Sequence, residues 1–383
     1  MDLPRVQRIL KEHALPAWLL YSFGTHNPLA LEALGLRGQH LTRRFAYLIP
    51  ASGTPIRLVH RIETAPFAHL PGEQRTYHSW DSFVEALREM LIPYRRVAMD
   101  YVPGGQIPYL SRVDAGTIEL IRGLGVEVVS AAELLLHFQT WGVAELERHR
   151  RAVAGVEAAR DAALEFIRAR LPEAPPTELE VQAVMMQALQ DRGLVTDHPP
   201  IVAFGLNAAL PHYAPSTERT RQLEPGDVVL LDVWAKEPDG VYADITWMAG
   251  WQAAEAVHRA FEAVRAARDR AVAFVREAYR AGRHPAGFEV DRAARAVLET
   301  AGYGAFVLHR TGHHLGADAP HGNGTHLDDL ETHDTRPLIP GLAFTVEPGV
   351  YPGPFGVRSE INVFLREDGP VVTTEAQTAL AAL

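Results

Sequence analysis

Apolar positions recur with helical spacing over residues 3–13, and a short continuous apolar run, AWLLYSF, follows at 17–23. Residues 45–60 read as two strands around Ser52-Gly53, a turn dipeptide. A helix over 81–92, a strand over 96–101 (RVAMDY), a helix near 108–123 and a strand over 126–131 (VEVVSA) complete an alternating α/β layer. From about Trp141 the texture changes. Residues 143–171 predict one long helix rich in Ala, Glu and Arg. Thr177 with Glu180 forms a capping box ahead of VQAVMMQALQDRG, which Gly193 closes. After strands over 199–250, the plan returns: a long helix over 253–281, a second over 287–302, then strands to 365. Two helices followed by antiparallel strands, twice in succession, point to an internal pseudo-repeat. The expectation is two domains, 1–141 and 142–383.

Composition narrows the function. A chain of 383 residues that is 47% hydrophobic can bury conventional cores, and its length alone favours two domains. The net charge of −10 argues against a nucleic-acid partner, which would call for a basic face. Lys11 and Lys236 are the only lysines, so the cations are almost all arginine. With no cysteine, disulfides, thiolate metal sites and thiol nucleophiles are excluded. The N-terminal segment lacks the apolar stretch of a signal peptide, and no run approaches the ~20 apolar residues of a membrane span. A cytoplasmic protein with no membrane partner is expected.

The candidate chemistry lies in the second half. In DVVLLDVWAKEPDGVYADITWMAG, two apolar strands flank a tight EPDG turn, and Asp232 and Asp244 are symmetric about Pro238. A hairpin turning there would set the two carboxylates opposite each other, with Cβ atoms ~5 Å apart. Carboxylates that close repel unless one is protonated or a cation lies between them. The arrangement recurs in FTVEPGVYPGPFGVRSEINVF, where Glu347 and Glu360 flank Gly353-Pro354. His313, in the glycine-bracketed HRTGHHLG, adds an imidazole. A single strand aspartate is ordinarily an edge or surface residue. Two hairpins sharing the feature favour a metal site, because buried acids are rare unless paired or metal-bound. Oxygen-rich coordination with one nitrogen favours Mn²⁺ or Co²⁺, with Zn²⁺ also open. Hydrolysis is the expected reaction, since a two-metal site lowers the pKa of a shared water and polarises a carbonyl.

The order D-x₁₁-D, G-H-x-x-G, E-P-G and V-R-x-E resembles the pita-bread peptidases, the superfamily of methionine aminopeptidase, aminopeptidase P and Xaa-Pro dipeptidase (prolidase). The resemblance covers roughly residues 145–370. It implies a small N-terminal α/β, creatinase-like domain ahead of a C-terminal pita-bread α+β catalytic domain with a pseudo-twofold repeat. The separate first domain resembles prolidase, aminopeptidase P and creatinase, and the complete ligand set favours a proline-specific peptidase.

By position, the resemblance implies two divalent ions, Mn²⁺ foremost. Asp232 would bind one, Asp244 and Glu360 would bridge both, and His313 and Glu347 would complete the other. Glu347 would also act as base, and Thr246 would add a hydroxyl nearby. His212 and His309 match family histidines that border the substrate. His321 stands one residue beyond the family's usual spacing, so either the ADAPHGNG loop carries an insertion or the role has changed. Arg358 and Arg336 are candidates for the substrate carboxylate, which an arginine can hold bidentately, and Tyr351 is a candidate for holding the substrate. His314, His326 and His333 are expected to face solvent, His314 being the readiest exception. The leading expectation is hydrolysis of Xaa-Pro dipeptides. Aminopeptidase P acting on longer Xaa-Pro peptides, an amidohydrolase and a non-catalytic binding module are the alternatives. The resemblance also implies a homodimer in which one subunit's N-terminal domain helps wall the other's pocket.

Overall fold

Continuous apolar runs over residues 17–22 and 45–50 explain the first layer of structure in the computed structural model, which describes residues 2–383. The chain divides into two compact units, Met1–Phe138 and Gln139–Leu383. The first contains α1 (Leu3–Glu12), β1 (Ala17–Phe23), α2 (Pro28–Leu34), β2 (Arg44–Pro50), β3 (Ile56–His60), β4 (Glu73–Tyr77), α3 (Trp80–Leu91), β5 (Arg96–Met99), α4 (Ala115–Gly123), β6 (Glu127–Ser130) and α5 (Ala132–Leu136). The strands form one sheet in the order β4-β3-β2-β1-β5-β6. Trp18, Leu20, Phe45, Tyr47 and Ile49 enter a core with α1, α2 and α5. Their neighbours Ala17, Leu19, Ala46 and Leu48 enter a second core with α3 and α4. Side chains alternate across a strand, so a sheet covered on both faces must be apolar at successive positions. The helix expected near 108–123 begins only at Ala115. Pro103 and Pro108 open short 3₁₀ turns instead, and Asp114 caps α4 by accepting from Thr117 N at 2.8 Å.

The second unit repeats a helix-pair-and-strand plan. Its first half is α6 (Val143–Arg170), α7 (Glu178–Gln190), β7 (Ile201–Phe204), β8 (Val228–Ala235) and β9 (Ala243–Gly250). Its second half is α8 (Glu255–Arg280), α9 (Gly287–Thr300), β10 (Ala343–Val346), β11 (Gly349–Val350), β12 (Val357–Arg358), β13 (Ile361–Arg366) and β14 (Gly369–Val372), with β15 (Ala381–Ala382) returning to β9. The capping box is in place, Glu180 Oε2 accepting from Thr177 N at 2.7 Å. Val229, Leu231, Val233, Ala243 and Ile245 pack under α6 and α7. The intervening positions, Asp232, Asp244 and Thr246 among them, therefore point away from those helices. Gly287, at the start of α9, stands where a Cβ would fall 1.8 Å from His326 O, so only glycine lets that helix approach the His326 loop. No helix among the described residues is long and apolar enough to cross a membrane.

Candidate metal centre

Strand register decides which acids meet. In the first hairpin Asp232 pairs with Thr246 and Trp234 with Asp244. The turn thus pivots at Asp239 rather than Pro238, and the two aspartates are diagonal neighbours on one face, not direct partners. In the second hairpin Ala343 pairs with Phe364, Val346 with Ile361 and Gly349 with Arg358. That single register carries Glu347 opposite Glu360. Asn362, two residues beyond Glu360 on the same face, joins the hairpins: its Oδ1 accepts from Asp244 N at 3.0 Å and its amide donates to Asp244 O.

Ligand atoms of Asp244, His313 and Glu360 all lie within 4.8 Å of one another, and all three residues are buried. Glu347 joins them, its Oε1 3.4 Å from His313 Nε2, while Asp244 Oδ2 lies 3.6 Å from the same nitrogen. His313 Nδ1 faces the carbonyl of His314 at 3.2 Å, so the hydrogen-bond network places the proton there. The Nε2 lone pair is left pointing at two carboxylates, an arrangement that repels unless a proton or cation intervenes. Thr345 orients both groups, its Oγ1 accepting from His313 N at 3.0 Å and donating to Glu347 Oε1 at 3.1 Å. Gly312 is required before His313, because a Cβ there would sit 2.1 Å from Thr345 O. Asp291 braces the segment from behind, accepting from Thr311 N and Oγ1 at 3.0 and 2.6 Å.

The electrostatics match a cluster short of positive charge. Burial, then the nearby Asp232 and Glu347 carboxylates, raises Asp244 well above the ordinary range. Burial, then Asp244, Glu347 and Asp232, does the same to Glu360. Glu347 is pushed up to about 7, chiefly by burial. Burial also raises Asp232, with Arg358 and His212 opposing it. Carboxylates gathered in this way hold protons in the absence of metal, and divalent cations would replace those protons. The donor set fits.

Asp232 lies outside the three-residue cluster. Arg358 Nη2 bonds its Oδ2, while Arg358 Nε donates to Thr246 Oγ1 at 2.9 Å and Nη1 to Tyr351 Oη at 3.3 Å. All three nitrogens of Arg358, the first candidate for the substrate carboxylate, thus have protein partners. Arg336, the second candidate, is enclosed by protein partners on every nitrogen. It is buried, with Nε and Nη2 on Asp334 at 2.9 and 2.6 Å, Nη1 on Asn323 O at 2.7 Å and Nη2 also on Gly324 O at 2.6 Å. Tyr351 Oη lies 2.8 Å from His309 Nε2, and His309 Nδ1 lies 2.8 Å from Arg310 O. Burial, then the charge of Arg358, holds His309 down at about 3. Gly349 makes room for this contact, since a Cβ there would lie 2.8 Å from Tyr351 Oη.

His321 lies against His313, with ring centroids 4.0 Å apart. Its Nδ1 faces Arg310 Nη2 at 3.1 Å, which makes Nδ1 the acceptor and Nε2 the N–H donor. Burial and the Arg310 cation lower it to about 4. His212 is exposed, and its charge reaches Asp232, His309 and His321. His314 and His326 do not face solvent as expected. His326 Nδ1 accepts from His314 N at 2.9 Å, and the His314 ring fills space that a Cβ on Gly322 or Gly324 would occupy. Arg310, Thr345 and Asn362 were missed from sequence. The adjacency of Arg310 to His309 and the place of Asn362 two beyond Glu360 were the available signals.

The model of metallopeptidase family M24 matches residues 147–367. The chain is 28% identical over 352 residues to a Mycobacterium tuberculosis protein named "Probable dipeptidase PepE", covering 88% of this chain and 85% of that one. It is 27% identical over 227 residues to a Lactobacillus delbrueckii Xaa-Pro dipeptidase, covering 59% and 57%. The crystal structure of dipeptidase PepE from Mycobacterium ulcerans superposes with a TM-score of 0.71 at 24% identity, over 99% of this chain and 96% of that one.

Proposed function

We propose, since the chain belongs to metallopeptidase family M24, that it hydrolyses the bond before a C-terminal proline in Xaa-Pro dipeptides, using two divalent ions of which Mn²⁺ is the first choice. The observation that carries the reading is the convergence of Asp244, His313 and Glu360 within 4.8 Å, with Glu347 on the same imidazole nitrogen. Asp232, Asp244, His313, Glu347 and Glu360 would hold the ions. Bound there, divalent ions lower the pKa of water and polarise a carbonyl.

The chain's own groups have distinct tasks. Glu347, titrating near about 7, is suited to accept a proton from the attacking water at neutral pH. His321 presents Nε2–H as a donor, oriented by Arg310, and suits the scissile carbonyl or the departing nitrogen. Arg358 positions Asp232, and the His309–Tyr351 pair holds the far end of Arg358. With Arg336 committed elsewhere, we assign the exposed His212, and Arg358 once an ion replaces it on Asp232, to the substrate carboxylate. The similarity to a named Xaa-Pro dipeptidase supports the substrate class. A homodimer, with one subunit's first domain (near 1–141) walling its partner's pocket, belongs to the same proposal.

The test is turnover of Ala-Pro against Ala-Pro-Ala by Mn²⁺-loaded protein. Cleavage of Ala-Pro with little action on the tripeptide supports a dipeptidase. Preference for the tripeptide replaces it with aminopeptidase P, and no cleavage of either removes the proline reading.

A further inference from the structure

One carboxylate with no part in the chemistry above is wholly buried at the start of α7. Glu178 is the first residue of that helix, which Thr177 and Glu180 already cap. An acid in a first helical turn ordinarily serves its own helix. Every donor to the Glu178 side chain comes instead from the segment joining β7 to β8. Phe204 N donates to Oε1 at 2.7 Å and Arg221 N to Oε2 at 3.0 Å. Between them in sequence, Asn207 Nδ2 donates to Oε1 at 2.9 Å, and Tyr213 Oη lies 2.6 Å from Oε2, sharing its proton with Arg219 O. These donors fill the ~four lone-pair sites of one carboxylate. Burial, then Glu178, raises Tyr213, which keeps its hydroxyl protonated. The chain from 204 to 221 is thus gathered onto a single side chain.

We infer that Glu178 is the positioning residue for His212, fixing the loop that presents this imidazole, on the reading above that His212 meets the substrate carboxylate. His212 is exposed and makes no side-chain hydrogen bond among the described residues, so its place comes from its chain neighbours. Tyr213, the next residue, is buried, tied to Glu178 through its hydroxyl and to Leu210 O through its N–H at 3.0 Å. Gly205 enters the loop at φ 52°, where a Cβ would fall 2.2 Å from Asp227 Oδ1. Asp227 Oδ2 in turn accepts from Arg221 Nη2 at 2.9 Å, so two acids, Glu178 and Asp227, close the base of the loop. Its other side meets the second hairpin, since a Cβ on Gly356 would lie 1.9 Å from Ala208 O. The loop therefore stands against the segment between Tyr351 and Arg358, and the charge of His212 acts on Asp232, His309 and His321. A loop ordered before the substrate arrives spares binding the entropy of ordering it.

Steady-state kinetics on Ala-Pro, with peptide-level hydrogen exchange, test the inference on the Mn²⁺-loaded full chain in wild type, H212A, E178Q, Y213F and the H212A/E178Q double variant. Glutamine keeps the volume of Glu178 but turns an amide N–H toward either the Phe204 or the Arg221 N–H, which releases one end of the loop. H212A should raise KM ~10-fold, the worth of one hydrogen bond to a charged group. E178Q should raise KM by ~3–10-fold with kcat changed less, and should add nothing in the H212A background. Exchange over 204–221 should quicken in E178Q while α8 and α9 exchange as in wild type. An E178Q effect on KM that is equal in both backgrounds, or absent, would overturn the positioning role while leaving His212 with the substrate. KM unmoved in H212A would instead remove His212 from the substrate, and the positioning role with it. Unchanged exchange in E178Q overturns the anchor itself, whichever substrate is turned over. Should E178Q fail to fold, Y213F, which removes one hydroxyl and keeps the ring, decides by the same KM and exchange criteria.

Discussion

Thr246 Oγ1 lies 2.8 Å from Glu360 Oε2, joining the return strand of the first hairpin to the acid of the second. The same oxygen accepts from Arg358 Nε at 2.9 Å, so one hydroxyl orients a carboxylate and the arginine that holds Asp232. T246V keeps the shape and removes the hydroxyl. We expect kcat/KM for Ala-Pro to fall ~10–100-fold, the range for losing an outer partner of a metal ligand, and T246S to recover most of it.

Arg358 compensates Asp232 inside a buried site, and divalent ions would supply that compensation in its place. R358A should therefore destabilise EDTA-treated protein by about 3–5 kcal/mol, the usual cost of leaving a buried charge unpaired. The loss should be much smaller with Mn²⁺ present. Chemical denaturation of both forms with and without metal measures the difference.

Most of this architecture could be read from hydrophobic pattern and turn chemistry. The helix pairs, the two hairpins and the facing of Glu347 and Glu360 all follow from alternation and from a turn at Gly353-Pro354. The first hairpin turns one position beyond the centre that the symmetry of its aspartates predicts, because the loop after Ala235 is long enough for several turn centres. Only the backbone pairing of Asp232 with Thr246 selects among them. The fates of Arg336 and Arg358 were not legible, because a buried arginine's partners come from segments remote in sequence. His314 and His326 look polar in a glycine-rich loop, yet that glycine content is what allows the loop to close over them.

R336A isolates the structural role. Removing a guanidinium that is paired with Asp334 and caps two carbonyls should cost on the order of 3 kcal/mol of stability. KM for Ala-Pro should stay within about twofold of wild type, as uniform substrate binding would be untouched. Denaturant unfolding and steady-state kinetics on one preparation decide it.

The raised carboxyls set a pH dependence. Glu347 titrates near about 7 in the folded, metal-free chain, against about 4.3 for an unfolded glutamate. The folded chain retains this proton over the interval between, so its contribution to stability is complete below about pH 4.3 and is lost as pH rises through about 7. Metal must displace the same proton, so affinity should climb over that interval and then level. Melting curves of EDTA-treated and Mn²⁺-loaded protein should diverge progressively from about pH 5 to 7.

Anomalous scattering from crystals grown with Mn²⁺ addresses the central claim without reference to turnover. The account predicts two peaks ~3.5–4 Å apart, enclosed by Asp232, Asp244, His313, Glu347 and Glu360, with the Arg358 contact to Asp232 rearranged to admit the ion. A single peak, or none, with Arg358 still seated on Asp232 would contradict it.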